Sequence, residues 1–513
     1  MTKRIILLVL VVQIGLAGYS QRKKPQESDP VKSFVSSFEY FPGFIDFYWD
    51  RKTDQVYLFV KDLDKEILYV NSLAAGVGSN DIGLDRGQLG STRIVRFDRH
   101  GPKILLTQPN YYFRAISDND AEIKAVEDAF ASSVIWGFKI EKENKSGVLL
   151  NATDFILRDA HGVISQLSRM KQGSYSLDKS RSAIYEDRTR NFPKNTELEN
   201  ILTFTGTARG GYVRSVVPTP ASITVRQHHS FVELPDDGYT PRAHDPRAGF
   251  FGPSFHDFAS PIEEPIEKRL ISRHRLKKKD PDAARSEAVE PIIYYLDPGT
   301  PEPVRSALLD GARWWNQAFE AAGYIDAFQV KMLPEDADPL DVRYNVIQWV
   351  HRSTRGWSYG SSVGDPRTGE IIKGHVSLGS LRVRQDFLIA EGLLAPYASD
   401  AIPEDMRDMA LARIRQLSAH EVGHTLGLAH SYAASTAGRA SVMDYPHPYV
   451  KLTDGKIDLS EAYDTKIGEW DKIAIRYGYT DLGTEDKAKL NEILLDAHDK
   501  GIRFISDRDA RAR

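Results

Sequence analysis

One stretch, His420-Glu421-Val422-Gly423-His424-Thr425-Leu426-Gly427-Leu428-Ala429-His430, constrains this chain more than any other. Histidines four apart on a helix project from one face a turn apart, so His420 and His424 can reach a single ion at roughly 2.1 Å. Glu421 sits next to the first of them and leans toward the same ion without having to bind it, where a base for an activated water belongs. Gly427 can take a left-handed conformation and end the helix. The chain can then turn back and bring His430 to the ion as a third ligand. Three neutral imidazoles leave one coordination position open, the arrangement of a catalytic rather than a structural zinc. Zn2+ is therefore the expected cofactor. By accident the pattern would occur in about 4 × 10⁻⁵ chains of this composition, so a surface helix with scattered histidines is a poor explanation of it.

Composition narrows the rest. The 513 residues include no cysteine, which excludes disulfides, a cysteine nucleophile and a thiolate metal site, and leaves His, Asp, Glu and Tyr as possible ligands. Lys and Arg total 67 against 71 Asp and Glu, so there is no basic excess and no nucleic-acid partner is expected. With 41% hydrophobic and 27% charged residues the chain is ordinary globular material, long enough for roughly three domains. Lys3 and Arg4 precede an apolar run from Ile5 to Gly18, closed by Gly18-Tyr19-Ser20. That reads as a signal peptide over residues 1–20. The run is interrupted by Gln13 and falls short of the about 20 apolar residues that span a bilayer. No later segment could span one, so the mature protein is expected to be exported, periplasmic or secreted, with no membrane span.

Along the chain the fold class reads as α+β. Residues 31–225 look β-rich: Phe44 to Trp49 and Val56 to Val60 flank a turn, Ile67 to Val70 continues a meander, and Thr92 to Phe97 with Lys103 to Thr107 form a second hairpin. One helix is expected among them, near Asp120 to Ser132. Residues 226–288 are rich in Pro, Asp, Arg and His and read as an irregular connector. Its basic run Arg273 to Lys279 reads as a solvated strand or loop, with a processing site as the other reading. Its histidines His228, His229, His244 and His256 are too irregularly spaced for a second metal site and read as ordinary connector residues. Residues 289–480 alternate strands and helices: a strand at Ile292 to Leu296, a helix opened by Pro303 and closed by Gly323, strands at Phe328 to Met332, Asn345 to Val350 and Glu370 to Ser380, then a long helix from Pro403 that carries the histidines. Residues 481–513 form a tail with one helix, Thr484 to Lys500, stopped by Gly501. No heptad or apolar patch specifies an oligomeric state.

After His430 comes Ser441-Val442-Met443-Asp444-Tyr445-Pro446. The histidine motif followed by such a methionine turn resembles the metzincin metallopeptidases. HEVGHTLGLAHS is similar to the matrixin pattern, and SVMDY to the astacin and serralysin turn. Taken with Gly468-Glu469-Trp470-Asp471 and the segment through Tyr479, the chain resembles large exported bacterial zinc metalloproteases with an uncharacterised β-rich N-terminal region. Specific similarity runs from about Pro291 to Tyr479. The resemblance implies a catalytic domain of twisted mixed sheet with the zinc helix across the cleft floor, preceded by the β-rich domain. It maps the ligands onto His420, His424 and His430, the general base onto Glu421, and the turn methionine onto Met443, a packing floor beneath the imidazoles. Tyr445 holds the place of a tyrosine that ligates zinc or stabilises the oxyanion; read alone it is a packed aromatic. Family members run on into a longer helical C-terminal region, so an abbreviated lower subdomain is expected here.

The expected partner is a peptide or protein substrate, hydrolysed by a water that Glu421 activates. The resemblance implies that the peptide pairs with an edge strand, placed by position within Glu370 to Leu378. His375 on that strand reads as a surface residue. Two other readings share the same residues: a surface module binding glycan or protein on a weak or inactive metallopeptidase scaffold, and a zinc hydrolase of non-peptide amides.

Overall fold

The computed structural model describes residues 29–354, 356–395, 403–483 and 486–510. The expected export signal over residues 1–20 lies outside them. The architecture is mixed α/β, with a large β-rich N-terminal region, and among the described residues no helix is long and apolar enough to cross a membrane.

Thirteen strands of the N-terminal region form one sheet in which every pairing is antiparallel. Both expected hairpins are present, Asp46–Asp50 with Gln55–Val60 and Gln88–His100 with Lys103–Gln108. The expected meander is not. Gly147–Asn151 pairs with Gln55–Val60 in the place that Ile67–Ala75 would take, because Val148, Leu149 and Leu150 are all buried there. Four further short helices accompany Asp120–Ala129, at Pro30–Phe34, Thr153–Ile156, Val163–Arg169 and Gly211–Val216, where one helix was expected. Phe155 and Ile156 close a core with Phe47, Phe97, Phe138 and Phe231. Such short helices carry too few turns for a 3.6-residue pattern to stand out in sequence.

The strand Ser222–Val232 runs seven residues beyond position 225 and takes His228 and His229 out of the connector into the sheet. His228 lies between Glu197 and Glu199, with its Nδ1 2.9 Å from Glu199 Oε2 and its Nε2 against Glu197 Oε2. Burial alone would depress the imidazole, but the two carboxylates outweigh it and push it up to about 9. His229 instead bonds Tyr69 and the Ile156 carbonyl, and burial pushes it down to about 3.

The connector crosses the second half of the molecule. Arg242 donates to the carbonyls of Tyr477 and Gly478 at 2.6 and 2.9 Å, and Phe250 packs between Gly427 and Gly478. Arg273 and His274 are buried in a short strand parallel to Glu370–Gly379, so the front of the basic run is neither solvated nor open to a protease.

The second sheet is mixed. Arg273–His274, Glu370–Gly379, Asn345–Val350, Ile292–Leu296 and Phe328–Met332 are parallel, and Tyr359–Gly364 joins antiparallel to Glu370–Gly379. This corrects the expected edge. Glu370–Gly379 is an interior strand, buried along nearly its whole length, and the outermost strand is Tyr359–Gly364, whose small residues in Tyr-Gly-Ser-Ser-Val-Gly give no strong strand signal. The helix expected from Pro303 to Gly323 appears as Val304–Arg313 and Asn316–Ala321, joined through Trp314 and Trp315 by tightened i→i−3 bonds. Buried Trp315 makes that join by donating to the Ala419 carbonyl at 2.7 Å. The helix Leu381–Leu394, packed on the histidine helix, was not expected; its apolar residues do not segregate to one face.

The two sheets meet face to face. Leu68, Val70, Ile94 and Val232 of the first pack on Val342 and Val363 beside the second. Asn195 bonds the Leu340 carbonyl and the Val342 amide, and buried Arg352 pairs with Asp85 at 2.8 Å.

Because the folded-state pKa of His228 is raised from 6.5 to about 9, its stabilisation is fully present below pH 6.5 and is lost as pH rises through about 9. His228→Gln should cost on the order of 3 kcal/mol at pH 6, and thermal unfolding should show the gap to wild type closing toward pH 9.5.

Candidate metal centre

The helix Glu404–Thr425 begins with Glu404 and Asp405 in its positive first turn and is locked from beneath: Ser418 Oγ donates to the Leu308 carbonyl at 2.7 Å, and Gly311 lets the neighbouring helix approach the Arg415 backbone. It stops at Gly427, where φ is +99° and a Cβ would run into the Ser272 carbonyl oxygen. The Leu428 amide returns to the Gly423 carbonyl at 3.1 Å, and the reversed chain sets His430 opposite the other two histidines. The three rings converge: their ligand atoms lie within 4.8 Å of one another.

Each ring is held by its Nδ1. His420 donates to the Val442 carbonyl at 2.8 Å, His424 to the Leu428 carbonyl at 2.8 Å, and His430 to Asp507 Oδ2 at 2.7 Å. These bonds put the proton on Nδ1 and leave each Nε2 lone pair for an ion. The Nε2 atoms of His420 and His430 are buried without a partner in the protein. Burial holds His420 well below its usual pKa and pushes His424 down to about 4, so both rings are neutral, as a metal ligand must be. Three converging imidazoles tied back through Nδ1, two of them with orphaned buried Nε2 atoms, fit a zinc ion.

Glu421 is 4% exposed. One of its oxygens accepts the Gly360 amide and Oε2 has no partner. Burial pushes its carboxyl up to about 8, against the opposing charges of Arg413 and Arg352. Gly360 belongs to the outermost strand, and a Cβ there would run into the Glu421 carbonyl oxygen, so the strand Tyr359–Gly364 lies directly on the histidine helix.

Met443 is fully buried, and its Sδ fills the place that a side chain at Gly423 would need. The segment around it is tied down by Asp471, which accepts the Ser441 hydroxyl at 2.6 Å and the Val442 amide at 2.9 Å. Burial pushes this carboxyl up to about 7. Tyr445 is half exposed, its ring 5.1 Å from that of His420 and 4.4 Å from that of His430. Burial, followed by the charge of Glu421, pushes its hydroxyl up to about 12.

All the predicted site residues thus gather at one place. His375 does not join them. It is buried, lining a cavity of about 650 Å³ between the two sheets together with Gln348 and His228, because its strand is interior rather than at the surface. His244 and His256 stay in the connector, His256 stacked on Phe113. Sequence reading missed Gly360, Asp471 and Asp507. Asp471 carried a faint signal, lying in a segment whose family resemblance was noted; the other two carried none.

The Met-zincin family matches residues 403–513, which takes in the whole histidine helix, the methionine segment and the tail with Asp507. The chain carries a metzincin domain. A domain of unknown function (DUF5117) matches residues 87–279, from the strand Gln88–His100 through the connector. No curated protein matches the chain. In the metzincin domain the histidine cluster is the one group of three or more His, Asp or Glu among the described residues that brings ligand atoms together.

Gly360→Ala should force the outermost strand off the histidine helix at a cost of about 1–3 kcal/mol. The check is a lowered Tm of the metal-free protein, together with loss of protection from hydrogen exchange at Tyr359–Gly364.

Proposed function

We propose that this protein is a zinc-dependent endopeptidase, exported by a signal over residues 1–20, whose catalytic domain occupies about residues 289–480. The observation that carries the reading is the partnerless, buried Oε2 of Glu421, next in the helix to His420 of a three-imidazole cluster in which the Nε2 atoms of His420 and His430 are buried without a partner. His420, His424 and His430 would hold the zinc, which when bound supplies Lewis acidity to a water and to the scissile carbonyl.

The remaining work falls to the chain's own groups. Glu421 Oε2 takes the proton of the attacking water, while the Gly360 amide holds the other oxygen and fixes the carboxylate's direction. A carboxyl whose apolar setting favours its neutral form takes up the water's proton readily, and Glu421 then passes that proton to the more basic leaving amine. The Tyr445 hydroxyl, on the rim of the cluster, donates to the oxyanion. Met443 supports the His420 side of the site from below. A peptide, rather than another amide, is favoured by the outer edge of Tyr359–Gly364: this strand pairs on one side only and lies against Glu421. An extended chain added there would present its carbonyls along the cleft, with affinity from backbone bonds.

Glu421→Gln should leave zinc stoichiometry intact and lower kcat by about 10³-fold or more, read by mass spectrometry of a peptide mixture with and without chelator. Cleavage by Glu421→Gln at the wild-type rate would refute the assignment. Tyr445→Phe should lower kcat by roughly 10- to 100-fold with little change in KM; an effect on KM alone would make it a substrate contact only.

A further inference from the structure

The third imidazole differs from the other two in how it is supported. His420 and His424 stand on a 22-residue helix and donate to backbone carbonyls. His430 stands on the segment beyond Gly427 and donates to a side-chain carboxylate 77 residues away in sequence. Resting on the reading of this site as a zinc centre, we propose that Asp507 is a positioning residue for the metal: its carboxylate orients His430 and makes zinc affinity depend on the C-terminal segment.

Both oxygens of Asp507 are engaged at the site. Oδ2 accepts the His430 Nδ1–H at 2.7 Å, and Oδ1 accepts the Tyr432 hydroxyl at 2.7 Å, a hydroxyl that itself sits 3.2 Å from the same Nδ1. The ring is thereby fixed both in tautomer and in rotation about its own axis. The segment that delivers Asp507 is anchored independently. Gly501 reverses the chain after the last long helix with φ +72°, Phe504 stacks on Trp470 at 5.3 Å and 10°, and the Ile505 carbonyl accepts the Tyr432 amide at 2.8 Å. Of the three groups that hold the imidazoles only this one carries charge. A negative charge behind the ring makes its Nε2 a better donor to a dication and offsets part of the ion's charge. Half-exposed Asp507 contributes little to the stability of the metal-free fold.

The test is zinc affinity, measured by competition with a chromophoric chelator, with the absorption spectrum of the Co2+-loaded full chain as a second readout. Asp507→Asn should weaken zinc roughly 10-fold and Asp507→Ala up to about 100-fold, both altering the Co2+ spectrum, while the metal-free Tm stays at the wild-type value. Asp507→Glu should recover much of the affinity. Asp509→Ala, which removes the acceptor of the Ser506 amide in the same turn without touching His430, should change affinity by less than about twofold. Wild-type affinity in Asp507→Ala, or an equal loss in Asp509→Ala, would overturn the proposal while leaving the zinc centre standing. Failure of the wild-type protein to bind zinc would remove both.

Discussion

The turn at Gly427 is the constraint on which the site depends. Two imidazoles on a helix face make only half a metal centre; the third must come from a chain that stops its helix within one turn and doubles back. Only a left-handed residue allows that, and only one without a side chain leaves room for the connector, whose Ser272 carbonyl lies where a Cβ would be. The connector in turn grips both sides of the bend, with the Phe251 amide on the Gly427 carbonyl at 3.0 Å and the Ala429 amide on the Gly249 carbonyl at 2.8 Å. The irregular segment is thus part of the wall that sets the position of His430.

A similar dependence links the cleft to the N-terminal region. The strand Tyr359–Gly364 carries Gly360 against Glu421, and its Tyr359 hydroxyl reaches Asp85 at 3.2 Å, the same carboxylate that pairs with buried Arg352. Val363 packs into the apolar layer between the sheets. Removing either partner of a buried pair such as Asp85–Arg352 leaves an uncompensated charge, so the N-terminal sheet and the cleft strand hold their positions together. Asp81 and Asn80 extend the contact to Thr354 and the Trp357 carbonyl.

What the sequence disclosed was local. The i, i+4 histidines, the adjacent carboxylate, the helix-ending glycine and the methionine segment are separated by a few residues, and short-range geometry fixes what they can do. The structure brings every one of them to a single point. What stayed hidden depends on pairing at long range. Whether a strand is interior or outermost is decided by its neighbours, so the place of Glu370–Gly379 and the burial of His375 could not be read from their own residues. His228 looked like a connector histidine because its two carboxylates arrive from another strand. Asp507 looked like one acid among many near a charged tail, since nothing in its surroundings names a partner 77 residues back.

X-ray absorption at the zinc edge of the purified, zinc-loaded protein tests the central geometry most directly. Three imidazole nitrogens at roughly 2.0–2.1 Å with one further light-atom ligand would be the signature of His420, His424 and His430 around an ion with an open position. A shell without three imidazoles, or a zinc spectrum unchanged when His430 is replaced, would contradict it.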